Sequence, residues 1–273
     1  MRTQGSDQKL KANGIEISYD DLGAGLLPVI FIHGFPFNKS AWQPQIDVLQ
    51  QQFRVIAYDN RGFGQSEAGE EKLSVTLMAN DLIRFMDSLE IDKAVICGLS
   101  MGGYIALNAV TRFPDRFSGL VLCDTQCVSD TPEGMKKRYE TAESIEKGGH
   151  QKFAEGFVQK LFAEETLASN EPLKSTVMKM IMGTSVPTLV AALDALAQRT
   201  ETCTELKNVV KPALIICGEE DGITPPAQSE TMHKNISGSE YFIIPKAGHL
   251  SNLEQPALFN EVLQNFLRQL TTA

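Results

Sequence analysis

The chain predicts an α/β fold, a doubly wound and mostly parallel sheet with helices on both faces. Three observations point there. Short, wholly apolar runs recur along the chain, as parallel strands buried on both faces require. Stretches of helical periodicity separate them, as crossover connections between parallel strands demand. The alternation then stops from Ser129 to about Thr204, where helical text follows helical text before strands resume.

Taken in order, Met1 to Asn13 is polar and lacks the apolar segment of a secretory signal. Gly14-Ile15-Glu16-Ile17-Ser18-Tyr19 alternates, which predicts an antiparallel strand at the start of the sheet. Val29–Ile32, Phe53–Tyr58, Ala94–Cys97 and Leu120–Cys123 read as buried parallel strands. Between them, Ala41–Gln51 is helical. A second helix carries Leu77, Leu82, Phe85, Met86 and Leu89 on one face, with Ser74 as its N-cap. The all-helical stretch divides into 133–147, 151–162, 172–182 and 187–199, with Pro172 and Pro187 suited to first helical turns. Met178, Met180 and Met182 either pack that region or line a substrate pocket. Strands resume at Pro212–Cys217 and Tyr241–Pro245.

Composition narrows the functional classes. A chain of 273 residues, 42% of them hydrophobic, fits one αβ domain with an insertion. A net charge of −9 argues against a nucleic-acid partner, which needs clustered Lys and Arg. No apolar stretch reaches membrane-spanning length, so no membrane partner is expected. The five cysteines form no C-x-x-C pair, and Cys97, Cys123 and Cys217 fall in expected strands. This predicts reduced core thiols and a cytoplasmic setting. The four histidines show no metal-ligand spacing, so neither a metal nor another cofactor is expected.

Chemistry concentrates at Gly98-Leu99-Ser100-Met101-Gly102, directly after the Ala94–Cys97 run and directly before a helix-forming stretch, Gly103–Arg112. A serine at a strand–turn–helix junction is a nucleophile elbow, and the flanking glycines report a turn too tight for Cβ atoms. A serine hydroxyl is a weak nucleophile near neutral pH and needs a base. His249, in the short loop after the last strand, is the candidate, and a carboxylate must orient it. Asp221, just beyond Pro212–Cys217 in a Gly/Pro turn, is one such acid. Asp124 lies at the end of an earlier strand, and Glu219 and Glu220 are neighbours of Asp221. The backbone N–H of Met101, at the start of the helix after the serine, suits an oxyanion donor.

With serine, acid and histidine in that chain order, the sequence resembles the α/β-hydrolase superfamily of serine esterase, enol-lactonase and cofactor-free haloperoxidase or perhydrolase type. The likeness covers the chain except about 126–204. It implies an eight-stranded sheet with a helical cap inserted after the sixth strand, dividing the chain into a core at 1–125, a cap at 126–204 and a second core segment at 205–273. Gly218, Asp221 and Pro225 match the family's G-x-x-D-x-x-x-P pattern, which favours Asp221 as the acid. The His33-Gly34-Phe35-Pro36 loop implies the Phe35 N–H as second oxyanion donor, since Pro36 has none, with His33 shaping the turn. Asp59-Asn60-Arg61-Gly62-Phe63-Gly64-Gln65-Ser66 matches a structural D-x-R-G-x-G-x-S loop. The implied activity is hydrolysis of a small ester or lactone, foremost as a carboxylesterase, without haem or metal. Enol-lactonase, perhydrolase and carbon–carbon hydrolase activities share the machinery. A ligand receptor on the same fold is the reading from another class. The oligomeric state is left open, a homo-oligomer included.

Overall fold

The apolar runs form the centre of an eight-stranded sheet in the structure, a computed structural model that describes residues 4–272. The first half of the chain runs β1 (Gly5–Ala12), β2 (Ile15–Leu22), β3 (Pro28–Ile32), α1 (Gln43–Leu49), β4 (Arg54–Tyr58), α2 (Val75–Ser88), β5 (Ala94–Leu99), α3 (Met101–Arg112) and β6 (Phe117–Cys123). An all-helical insertion follows: α4 (Pro132–Ser144), α5 (His150–Leu161), α6 (Glu164–Ser169), α7 (Glu171–Gly183) and α8 (Val186–Ala197). The chain then returns to the sheet through β7 (Ala213–Gly218), α9 (Pro226–Asn235), β8 (Glu240–Ile244), α10 (Ser251–Glu254) and α11 (Pro256–Thr272). The strand order is β1-β2-β4-β3-β5-β6-β7-β8, parallel from β4 onward and antiparallel at β1 and β2.

β1 departs from the sequence reading, which treated Met1–Asn13 only as a polar lead; of that stretch, residues 1–3 lie outside the described residues. Its strand character comes from pairing, with Leu10 opposite Ile17 across a hairpin turned at Asn13 and Gly14. Both turn residues have positive φ, 46° and 81°, as a tight hairpin of matching twist requires. An outermost strand with one side in water has no need of an apolar pattern.

Alternation within the strands divides the core in two. Ile30, Ile32, Ile96, Leu120 and Leu122 point to the face covered by α2 and α3. Val29, Phe31, Val95, Cys97 and Val121 point to the face covered by α1 and α11. Strands buried on both faces lose the apolar–polar rhythm, which explains their continuous apolar text. Trp42 belongs to the second face, fully buried against Phe31 and Phe259, so it anchors the start of α1.

The cysteine expectation needs a correction. Cys97, Cys123 and Cys217 are free and buried in β5, β6 and β7, but Cys127 and Cys203 form a disulfide. Their Cα atoms lie 4.9 Å apart although 76 residues separate them in sequence, so only the closed fold brings the pair together. The bridge joins the chain as it leaves β6 to the chain as it returns toward β7. No single helix among the described residues is long and apolar enough to cross a membrane.

The 59–66 loop is a structural brace. Asp59 accepts from the Lys39 and Gln65 N–H groups, and Arg61 makes a two-pronged pair with Asp81 of α2. Both side chains of that pair are 2% exposed. Arg61→Ala would leave the buried Asp81 carboxyl without its guanidinium partner. The expected loss is about 3–5 kcal/mol of unfolding free energy, read from urea denaturation.

Candidate active site

β5 lies between β3 and β6, and the chain reverses at its end. Ser100 turns it with φ 52° and ψ −113°, a conformation that side-chain-bearing residues avoid. Backbone bonds hold the turn. The Ser100 N–H donates to Cys123 O at 2.9 Å, and Ser100 O accepts from Gly103 N–H at 2.9 Å and from Thr125 Oγ1 at 2.8 Å. A Cβ on Gly98 would lie 2.4 Å from Gly102 O, and one on Gly102 would lie 2.2 Å from Ile32 O. The G-x-S-x-G spacing therefore records how closely the elbow presses on itself and on β3.

The structure brings Ser100, His249 and Asp221 together. His249 Nε2 lies 2.9 Å from Ser100 Oγ, and His249 Nδ1 lies 2.8 Å from Asp221 Oδ2. Asp221 sits in the turn after β7, where Oδ1 accepts the Ile223 and Thr224 N–H groups at 2.8 and 2.9 Å and Oδ2 accepts Thr224 Oγ1 at 2.7 Å. Thr224, which the sequence reading passed over, thus aims the carboxylate at the imidazole. His249 follows β8, and its N–H donates to Leu161 O at the end of α5. Burial disfavours the imidazolium, but the charge of Asp221 and its hydrogen bond outweigh burial and raise the His249 pKa above the ordinary 6.5. Burial likewise opposes the Asp221 carboxylate, and the partnership with His249 and Thr224 carries its pKa below the usual value.

The other acids are elsewhere. Asp124 is fully buried beside the site but bonds Gly218 N–H at 2.8 Å and Ser251 Oγ at 2.6 Å rather than the imidazole. Burial, then the negative charge of Asp221, pushes its pKa up to about 8. Glu219 accepts the Lys246 N–H and Glu220 the Glu164 N–H. Asp124, Cys217 and Asp221 place ligand atoms within 4.8 Å of one another. The two carboxylates already accept the bonds just described, the Cys217 thiol donates to Gly218 O, and burial keeps that thiol protonated, so the trio is unsuited to a cation.

Above Ser100 and His249 opens a cavity of about 740 Å³. Phe35, Met101 and Tyr104 form its floor, and α4, α5 and α8 of the insertion form its ceiling, with Phe153, Phe157, Leu193 and Leu196 facing in. Among the described residues, neither the Phe35 nor the Met101 N–H donates to a protein acceptor, and both residues line the cavity. His33 is buried beneath, donating from Nδ1 to Gly34 O and accepting the Asn60 N–H at Nε2. Burial lowers its pKa to about 4, so it is a neutral brace. Met178, Met180 and Met182 do not line this cavity; Met180 is buried within the insertion and Met182 is exposed. Which insertion residues face the cavity left no trace in the sequence, because the packing angle of the helices decides it.

Residues 28–256 match the family model described as alpha/beta hydrolase fold. The solved structure of a thermophilic esterase from Thermogutta terrifontis, with malate bound, is 34% identical. It superposes with a TM-score of 0.92 over 96% of this chain and 99% of that one. The bromoperoxidase of Bacillus anthracis is 25% identical, with a TM-score of 0.85 over 96% of this chain and all of its own. The 3-oxoadipate enol-lactonase 1 of Acinetobacter baylyi is 29% identical across 89% of each chain.

The second acid yields a pH-dependent prediction. The Asp124 carboxyl titrates near ~3.9 in an unfolded chain and at about 8 in the folded one. Between those values the folded protein holds a proton that the unfolded chain releases, so the stability Asp124 contributes is lost as pH rises from about 4 to 8. Asp124→Asn forfeits one of the acceptors facing Gly218 and Ser251, at about 1–3 kcal/mol. Thermal unfolding at pH 5 and pH 9 should show the deficit of the variant shrinking at the higher pH.

Proposed function

The chain belongs to the α/β-hydrolase fold family, and we propose that it is a carboxylesterase-like serine hydrolase that cleaves small esters or lactones through an acyl-Ser100 intermediate. The observation that carries this reading is the unbroken relay from Ser100 Oγ through His249 to Asp221, at 2.9 and 2.8 Å, beneath the cavity. As Oγ attacks the carbonyl carbon, His249 Nε2 takes its proton, and Asp221 stabilises the imidazolium that forms. The carbonyl π pair moves onto oxygen, where the Phe35 and Met101 N–H groups meet the new charge, aided by the positive end of α3. Collapse breaks the bond to the alcohol oxygen, which leaves with the proton from Nε2. Water then repeats the attack on the acyl carbon, with His249 as base, and frees the acid and Ser100. In a lactone the leaving oxygen stays on the acyl chain, so the first step opens the ring without releasing a fragment.

The segment 126–204 acts in this reading as a cap that selects which groups enter. The residues of the chemistry lie outside it, whereas Phe153, Phe157, Leu193 and Leu196 in the cavity ceiling belong to it. Small esters and lactones suit a cavity of about 740 Å³.

Initial rates on nitrophenyl esters of increasing acyl length test the reading, with peak activity expected at short chains. Ser100→Ala should lose about 10³-fold or more in kcat, and Asp221→Asn a comparable factor, while Asp124→Asn keeps most of its turnover. Full activity in Asp221→Asn with loss in Asp124→Asn would reassign the acid. Tight ligand binding with no turnover above the Ser100→Ala level would favour a receptor. In a second measurement, kcat/KM should fall on acidification with an apparent pKa above 6.5, because the base must be neutral and Asp221 holds its proton on. An acid limb below 6.5 would contradict this.

A further inference from the structure

A second, smaller cavity of about 310 Å³ adjoins the one over Ser100. It lies between the start of α2, one side of α3, the chain around Cys127 and the end of α8. Among the described residues, Tyr104 alone lines both cavities. The ion pair beside it follows the same division, with Arg199 lining the smaller cavity and Asp130 the larger, 2.7 Å apart. The wall between the two is therefore one aromatic ring and one ion pair. They are held differently. Arg199 is pinned by Asp130, by Val128 O and by Leu196 O. Tyr104 is only 8% exposed, yet among the described residues its hydroxyl has no hydrogen-bond partner. Packing holds its ring, together with the Arg199 guanidinium 4.5 Å from the ring centre.

The smaller cavity is polar without an unspent charge. Ser74, Thr76, Asn108, Gln126, Gln198 and Thr202 bring hydroxyls and amides to its lining. Its two cations are paired, Arg199 with Asp130 and Lys72 with Asp194 at 3.0 Å. Arg199 Nε is buried and, among the described residues, has no acceptor. Such a lining suits a neutral group with oxygen acceptors, an ether or a hydroxyl chain, better than an alkyl chain or a fixed charge.

The acyl part of a bound ester heads for this wall. The leaving oxygen must face His249 Nε2, which returns a proton to it, so the acyl chain points away from the histidine loop. Ala247 and Leu250 of that loop pack in the core face of α1 and α11, whereas Met101 and Tyr104 pack in the opposite face. We infer that Tyr104 determines acyl specificity: its ring limits the acyl length that the wild-type protein accepts, and the cavity behind it is a subsite for a neutral, oxygen-bearing acyl tail. The inference rests on the acyl-Ser100 reading and adds to it what sets the reach of the substrate.

The test uses three uncharged nitrophenyl esters: methoxyacetate, which is short, trioxadecanoate, a long chain of ether links, and decanoate, an alkyl chain of the same length. Removing the ring with Tyr104→Ala should raise the kcat/KM of trioxadecanoate relative to methoxyacetate by about tenfold or more, the scale on which a pocket wall discriminates, and chiefly through KM. Decanoate should gain less, because the lining it would enter is polar. Tyr104→Phe keeps the ring and should keep the wild-type ratios. Structural damage alone would lower all three esters together and leave the ratios standing, and that result overturns the inference. An equal or larger gain for decanoate overturns the polar subsite. If Tyr104→Ala fails to fold, Tyr104→Leu retains an apolar helix former without the ring and should shift the ratio the same way; an unchanged ratio overturns the inference. Calorimetric binding of the esters to Ser100→Ala, with and without Tyr104→Ala, reads the subsite without turnover. A gain for trioxadecanoate there, with no catalysis in the wild-type protein, would sustain the subsite and sink the hydrolase reading; normal catalysis with no gain would do the reverse.

Discussion

The site depends on one steric constraint, the contact between the elbow after β5 and the end of β3. Where a Cβ on Gly102 would lie 2.2 Å from Ile32 O, the backbones themselves touch. That closeness brings the start of α3 against the loop that follows β3. Met101 and Phe35 therefore line one cavity. Ser100 is held in its unfavourable φ by bonds to β6 through Cys123 O and to Thr125 just beyond it. Strain of this kind, of order 1–3 kcal/mol, persists only where surrounding structure over-determines it. β5, flanked by β3 and β6 and buried throughout, is such a place.

Electrostatics then separates two buried carboxyls that share one corner. Asp124 and Asp221 both follow core strands, and each raises the cost of charging the other. Asp221 has the imidazole, two N–H groups and a hydroxyl, so its charge is supported. Asp124 has a hydroxyl and backbone N–H groups but, among the described residues, no cation in contact, so burial governs it. Paired groups whose surroundings drive their pKa values apart divide the roles between them. One serves the imidazole and the other ties β7 to the start of α10 through Gly218 and Ser251.

The insertion is fastened to the same loops that bear the site. The His249 N–H bonds Leu161 O, and Glu254 accepts from both Ala163 and Gly248, joining the end of α5 to the histidine loop. Thr184 donates to Pro36 O beside Phe35, and Thr188 donates to Gly62 O in the brace loop. The Cys127–Cys203 bridge closes the base. Ceiling and floor of the cavity are thus held in register.

The sequence by itself determined the fold class, the alternation of strands and helices and the helical insertion, and it offered Ser100, His249 and a choice of acids as candidates for the site. These are local matters. Burial on two faces writes continuous apolar runs, helices write their period, and an elbow admits only glycine beside its serine. It could not choose between Asp221 and Asp124 from residues alone, since both end strands; the hydrogen bonds through Thr224 and Ser251 separate them. β1 escaped because an outer strand needs no apolar pattern, although Asn13-Gly14 marked its turn. The disulfide, the commitment of Met180 to packing and the choice of insertion residues that face the cavity were decided by tertiary structure. Each depends on distances between segments far apart in the chain, and no local pattern encodes the angle at which a helix crosses a cavity.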